Sequence, residues 1–301
     1  MIFILVGFHI VLASFAPIIY RLVKRHIVFV AASAPAVTVI WAAFFAPRIV
    51  AGQPYIENLD FAPSLGFQLS FRADAFALLM CFVTSTLGVL LFAYSYFYFY
   101  RFEEDLARFT GWMLVFGGSM LGLVFSDNLI ELFTFWELTT IASYMLIGFY
   151  HQKEAARAGA LQALLMTGLG SLVMLAGFVM VGDAAGSYSI SEILRSAPRG
   201  PLVEVAAGCI LIGAFTKSAQ VPFHSWLSSA MVAPTPASAY LHAASMVKAG
   251  VFLIGRLSPA LATTGLWRPS CLLGRNSDNV HRRLQGSAPV RLKTAACLRD
   301  Y

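Results

Sequence analysis

The sequence predicts an all-α, polytopic membrane protein of about eight transmembrane helices, the seventh broken by a proline. Three observations carry this expectation. Of 301 residues, 58% are hydrophobic and only 12% charged. Mean hydropathy is +0.73. Apolar runs of membrane-crossing length recur along the chain. Soluble domains carry about 25% charged residues, and one crossing takes about 20 apolar residues.

Runs at 2–21 and 27–46 give the first two spans. The first has neither a basic n-region nor a small-residue cleavage site, so it reads as a span and not as a signal peptide. From 47 to 72, Gly52-Gln53-Pro54 and Gly66 argue for an extended or hairpin-like connection. Spans 75–98 and 110–126 follow, and Asp127-Asn128 leaves almost no loop before 128–150, a tight helical hairpin. After 158–182 comes 202–222, where Pro222 lacks an N–H and its ring disfavours the bond to the Ser218 carbonyl. That places a kink beside Lys217. The eighth span, 236–257, starts after Ala233-Pro234-Thr235-Pro236, prolines suited to a helix start.

The net charge of +6 does not signal nucleic acid, because residues 266–301 hold seven Lys/Arg against two Asp/Glu and leave only +1 for the rest. Cys81 and Cys209 fall in apolar runs and read as small core residues, and with Cys271 and Cys297 in the tail no disulfide framework is implied. With the N-terminus outside, the inner loops carry Arg21, Lys24, Arg25, Arg101, Arg108, Lys153 and Arg157, and the outer ones Arg48, Arg72, Arg195 and Arg199. The positive-inside rule therefore favours an outside N-terminus.

Ionisable groups inside spans are the functional candidates, since each costs on the order of 3 kcal/mol at the bilayer centre on insertion scales. Glu137 shares a stripe of the fifth span with Thr134, Thr140 and Tyr144, at i, i+3, i+6 and i+10. Such a stripe suits a proton path, and equally a satisfied carboxylate joining two helices. Both readings need a basic partner, and Lys217 at the kink is the candidate; its alternative is a lysine snorkelling to an interface. In the eighth span Ser238, His242 and Ser245 share a face, with Lys248 displaced around the axis. His242 is then a relay between lysines or a hydrogen-bonded packing residue. His224, followed by Trp226, reads as an interfacial anchor, and Glu131 as a residue near the membrane edge.

Several segments are familiar together: Phe71-Arg-Ala-Asp-Ala75, Asp127-Asn-Leu-Ile130 with Phe135-Trp-Glu-Leu-Thr139 and Tyr144-Met-Leu-Ile-Gly148, and Phe215 to Trp226 continued by Ala233 to Gly250. Over 1–265 the chain resembles the antiporter-like subunits shared by Mrp-type Na+/H+ antiporters and respiratory complex I. It is most similar to the N-terminal part of the large Mrp A subunit. The resemblance implies a subunit of a hetero-oligomeric complex in the bacterial inner membrane, moving protons and sodium with no organic cofactor or metal. It implies a proton path through Glu137, Lys217, His242 and Lys248, with Pro222 as the helix break and His224, Thr140 and Tyr144 as secondary candidates. A proton-pumping subunit of an NADH:quinone oxidoreductase is the alternative, and an inert fragment a third reading.

Residues 266–301 depart from that pattern. Their arginine, serine and cysteine content and lack of a spanning run suggest a frameshifted or truncated copy, with apolar spans resuming in another downstream frame. The alternative is a basic tail lying on anionic headgroups.

Overall fold

The computed structural model describes residues 1–62, 67–100 and 105–267, apart from the side chains of 60–62, 67–68 and 243–244. It is a helical bundle with one β-hairpin. Helices α1 (Ile2–Val23) and α2 (Ile27–Val50) are joined by the 3₁₀ turn Lys24–His26. Strands β1 (Tyr55–Ala62) and β2 (Phe67–Ala73) precede α3 (Ala75–Tyr98), α4 (Leu106–Phe125), α5 (Leu129–Ile147) and α6 (Glu154–Ala185). The short α7 (Ile190–Ser196) leads to α8 (Pro201–Lys217) and α9 (Ser225–Ser229). The last span runs through α10 (Thr235–Ser238), a π-helical segment Ala239–Ser245, and α11 (Met246–Leu261).

Among the described residues, six stretches are long and apolar enough to cross a membrane. The first, Ile2–Val50, contains both α1 and α2. The expected seventh span is not among the six because α8 ends after 17 residues at its break, about 26 Å of helix at 1.5 Å per residue. Every expected span therefore has a helix. The ends differ by a few residues, and most at α8, which stops at Lys217 and not at 222.

Local chemistry explains the ends. Asp74 caps α3, its carboxylate accepting from the Ala77 N–H at 3.0 Å. The Asn128 side chain accepts from Ile130 and Glu131 and so starts α5 three residues after α4 stops. Such caps contribute about 1 kcal/mol each. The 47–72 connection splits between the last turn of α2 and the hairpin, whose strands pair Tyr55 with Ala73 and Leu59 with Leu69.

α4 is the most enclosed helix, packed against α1, α2, α3, α5 and α11. The α4–α5 turn is laced into both neighbours: Asp127 N–H donates to Ser70 O at 2.8 Å, Leu129 N–H to Tyr188 O at 2.9 Å, and Ile190 N–H to Asp127 O at 2.7 Å. Hairpin, α4–α5 turn and α7 thus form one end of the molecule. At the other end Arg25 donates to Tyr96 O at 3.0 Å, Tyr98 meets Tyr150, and Arg108 donates to Phe149 O at 3.1 Å. Exposed apolar stripes, Ile4, Val11, Phe15, Ile18 and Leu22 on α1 and Leu161, Leu165, Leu169 and Leu172 on α6, are what lipid contact requires.

Of the expected foreign tail at 266–301, all but Leu266 and Trp267 lies outside the described residues. Trp267 is buried and donates to Ser258 Oγ at 2.9 Å, so the packed body extends to it.

Candidate functional site

The end of α8 is a built structure. Ala219 N–H donates to Thr216 O at 3.3 Å and Gln220 N–H to Phe215 O at 3.0 Å, with Ala219 at φ +51°. That pair of bonds around a left-handed residue is a Schellman cap. The helix stops through this cap, and Pro222 lies exposed five residues beyond Lys217, in the turn leading to α9. Pro222 lies past the last helical residue and the cap. Trp226, expected beside an interfacial anchor, is instead fully buried, its indole N–H donating to Thr216 O at 2.9 Å. His224 stands just before α9.

Lys217, the last residue of α8, is fully buried. Its Nζ donates to Trp136 O at 2.8 Å, Thr139 Oγ1 at 2.6 Å and Thr140 Oγ1 at 3.2 Å, all on α5. An ammonium has three donors and no acceptor, and here all three are used. The Trp136 ring adds a cation–π contact with its centroid 4.3 Å from Nζ. Both threonine hydroxyls donate to the same Trp136 carbonyl, at 2.7 and 3.1 Å, which turns their lone pairs to the lysine.

Glu137 is half-buried and Oε1 has no hydrogen-bond partner among the described residues. No ion pair within 4.0 Å joins it to Lys217. The expected acid–base partners therefore lie on adjoining elements without touching. Of the expected stripe, Thr140 faces the lysine, Thr134 is exposed, and Tyr144 lines a separate cavity with Arg108.

His242 falls in the π-helical segment, its ring centroid 6.0 Å from that of Trp226. Both its ring nitrogens are buried and unpartnered among the described residues, as are Ser218 Oγ and Ser245 Oγ. π-Helical turns recur at functional positions. Lys248 is exposed, turned away from this assembly. α11 comes close to α8 only because residue 250 is glycine: a Cβ there would collide with Ser218 Oγ and the Ala214 backbone. Thr140 thus meets Lys217, Glu137 lies on the same helix as Thr140 without an ion pair to the lysine, His242 lies against Trp226, and Lys248 is exposed. Among the described residues no three His, Cys, Asp or Glu side chains are grouped to hold a metal.

Three features escaped the sequence reading. Thr139, the nearest partner of Lys217, lies off the stripe drawn through Glu137. Arg256, 6% exposed, pairs with the Asp74 carboxylate and ties α11 to α3; a second cation in the eighth span, besides Lys248, was its visible signal. Glu131, expected near the membrane edge, is buried in the first turn of α5, with Oε2 accepting from Ser70 N–H at 3.0 Å. Beside it, Asp127 accepts from Ser191 Oγ at 2.7 and 2.6 Å, and Arg72 donates to the same hydroxyl at 3.1 Å. Burial raises the Asp127 pKa, opposed by the Ser191 hydrogen bond and by Arg256 and Arg72.

Residues 126–273 match the family model described as NADH:quinone oxidoreductase/Mrp antiporter, TM. The chain is 45% identical over 224 residues to the A/B component of a probable K+/H+ antiporter of Rhizobium meliloti (strain 1021), covering 73% of this chain and 22% of that protein. It is 39% identical over 261 residues to the A1 component of the Na+/H+ antiporter of Staphylococcus haemolyticus (strain JCSC1435), covering 85% and 32%. Among solved structures, the Mrp complex of Dietzia sp. DQ12-45-1b contains a chain with TM-score 0.79 and 33% identity, matched over 88% of this chain and 29% of that one. An archaeal respiratory complex, the membrane-bound sulfane sulfur reductase, shares the fold at TM-score 0.77 and 20% identity, over 90% and 55%. The chain thus spans about a third or less of the length of the curated relatives it matches.

Proposed function

Because the chain belongs to the NADH:quinone oxidoreductase/Mrp antiporter family of membrane subunits, we propose that it supplies a proton-handling unit of a multisubunit monovalent cation/H+ antiporter. The observation that carries this reading is the fully buried Lys217 ammonium, held by three α5 oxygens beside a Glu137 carboxylate oxygen that has no hydrogen-bond partner among the described residues. A lysine with every donor used holds its proton through those acceptors, and that proton becomes transferable when one acceptor swings away or the field of Glu137 changes. A break at the end of α8 allows such a displacement, because the chain leaves the helical ladder after the cap at Ser218–Gln220. The unpartnered nitrogens of His242, across Trp226, offer the next acceptor along this path, and Lys248 on the outer face of α11 a further one. One charge moved across 100 mV is worth about 2.3 kcal/mol, the size of one or two hydrogen bonds to a charged group. Reorganising the lysine cradle therefore couples on the right scale to a membrane potential.

The setting is a bacterial plasma membrane, with the N-terminus and hairpin outside and the basic end inside, and the partners are the other antiporter subunits. The names of the relatives carry potassium in one case and sodium in the other, so the cation is chosen by assay. The test is to express the gene with its neighbouring subunit genes in an antiporter-deficient host and add Na+ or K+ to inverted vesicles holding a pH gradient. Dissipation on adding either cation is expected; no response to both contradicts the proposal. A second reading, a proton-pumping subunit of an NADH:quinone oxidoreductase, follows from the other half of the family description. It predicts flavin and iron–sulfur subunit genes beside this one.

A further inference from the structure

At the basic end, two cavities flank the first turns of α4 and share Arg108 and Trp112 as their common wall. One, about 450 Å³, lies between α1 and α4 and is bounded by Ala13, Ala16, Pro17, Gly111 and Val115. It is mostly apolar, since Ser14 turns its hydroxyl back onto Ile10 O at 2.9 Å. The other, about 240 Å³, mixes aromatic and apolar walls with three basic residues, Arg108, His151 and Arg157. Each is a cleft near or within the size range of small-ligand sites.

The geometry points to a binding site for one anionic glycerophospholipid, its phosphate in the Arg108–His151–Arg157 pocket and an acyl chain in the α1/α4 groove. The assignment rests only on the chain being embedded in a membrane. The two arginines are fixed before any ligand arrives. Arg108 lies over the Phe149 ring at 4.7 Å and donates to Phe149 O, and Arg157 donates to His151 O at 2.7 Å and Gln152 O at 3.2 Å. Each guanidinium has five N–H donors in a planar fork suited to phosphate, so both keep donors to spare. Among the described residues, Asp105 pairs with Arg108 at 3.0 Å with both side chains largely exposed, and Glu154 stands exposed one turn before Arg157. An exposed pair of that kind is weak, and with no acid among its lining residues the pocket keeps a basic wall that a neutral headgroup would not answer. The occupant must be apolar at one end and anionic at the other, with the change of character at Arg108 and Trp112. A tryptophan at that junction is where aromatic side chains settle in a bilayer. Basic pockets between membrane helices recognise anionic lipid headgroups by the same logic.

The chain, reconstituted in nanodiscs, would be probed with phosphatidylglycerol or phosphatidylcholine brominated on the acyl chain. The quenching difference between it and the Trp112→Phe variant isolates Trp112 from the other four tryptophans. Half-quenching of Trp112 is expected at a several-fold lower fraction of phosphatidylglycerol than of phosphatidylcholine. Arg108→Gln with Arg157→Gln should remove that preference, at about fivefold per arginine. Equal quenching by the two lipids overturns the site whatever the variants do. Relief of quenching by millimolar inorganic phosphate identifies a soluble anion as the occupant and overturns the lipid assignment, as does loss of quenching when the neighbouring subunits are co-assembled. A phosphatidylglycerol preference that survives in the folded double variant overturns the headgroup pocket.

Discussion

At the residue scale the decisive group is a cation satisfied entirely by oxygen atoms of one neighbouring helix. The 2.6 Å bond from Lys217 to Thr139 and the 3.2 Å bond to Thr140 are unequal. Hydrogen bonds to charged groups contribute about 1.5–3 kcal/mol, so Thr139→Val should reduce cation-driven proton flux by about tenfold, and Thr140→Val by less. Flux measured in vesicles at equal expression checks the order. Periodicity made Thr140 legible, because it repeats on the Glu137 stripe. Thr139 was not, because its role depends on where α8 stops, which no pattern within α5 encodes. Asp127 gives a pH prediction outside the spans. Burial raises its pKa, so the folded state binds this proton more tightly than the unfolded chain, where the value is about 3.9. Its contribution to stability is therefore present at low pH and lost as pH rises through the folded value. Asp127→Asn should flatten that part of a melting-temperature-against-pH profile.

At the element scale the break in α8 and the π-helical segment shape the site, and they differ in legibility. The sequence places a break near Lys217 through Pro222, yet the structure makes it with a Schellman cap five residues before where Pro222 predicted the helix to end. Cap geometry depends on a left-handed residue, and alanine at 219 gives no sign of it, whereas glycine would have. A left-handed alanine costs about 1–2 kcal/mol, so Ala219→Gly should raise the melting temperature by a few degrees and leave the break in place. A lowered melting temperature would contradict the cap. The π-helical segment Ala239–Ser245 has no signature in the residues. It changes the angular register of the last span; the helical wheel sets Lys248 off the face of His242, and in the structure Lys248 is exposed.

At the scale of the whole molecule, the order of spans, the tight α4–α5 hairpin and the extended 47–72 connection were legible because hydrophobic length and turn residues specify them directly. The ties between distant elements were not, since Asp74 and Arg256 lie 182 positions apart and neither announces the other. A double-mutant cycle measures that tie. Arg256→Met leaves a partly buried carboxylate alone and should destabilise by about 3 kcal/mol, whereas Asp74→Asn with Arg256→Met should recover part of the loss. Additive losses in detergent melts would mean the pair does not hold α3 to α11.

The central claim is that Lys217, cradled by α5 beside Glu137, carries the proton that the antiporter exchanges. The most direct measurement is the cation-dependent collapse of a pH gradient in inverted vesicles. It would compare a full-length relative with its variants at the positions matching Lys217→Ala and Glu137→Gln, with membrane insertion verified by immunoblot. Both variants should insert normally and lose the response. A response retained in the lysine variant would contradict the account.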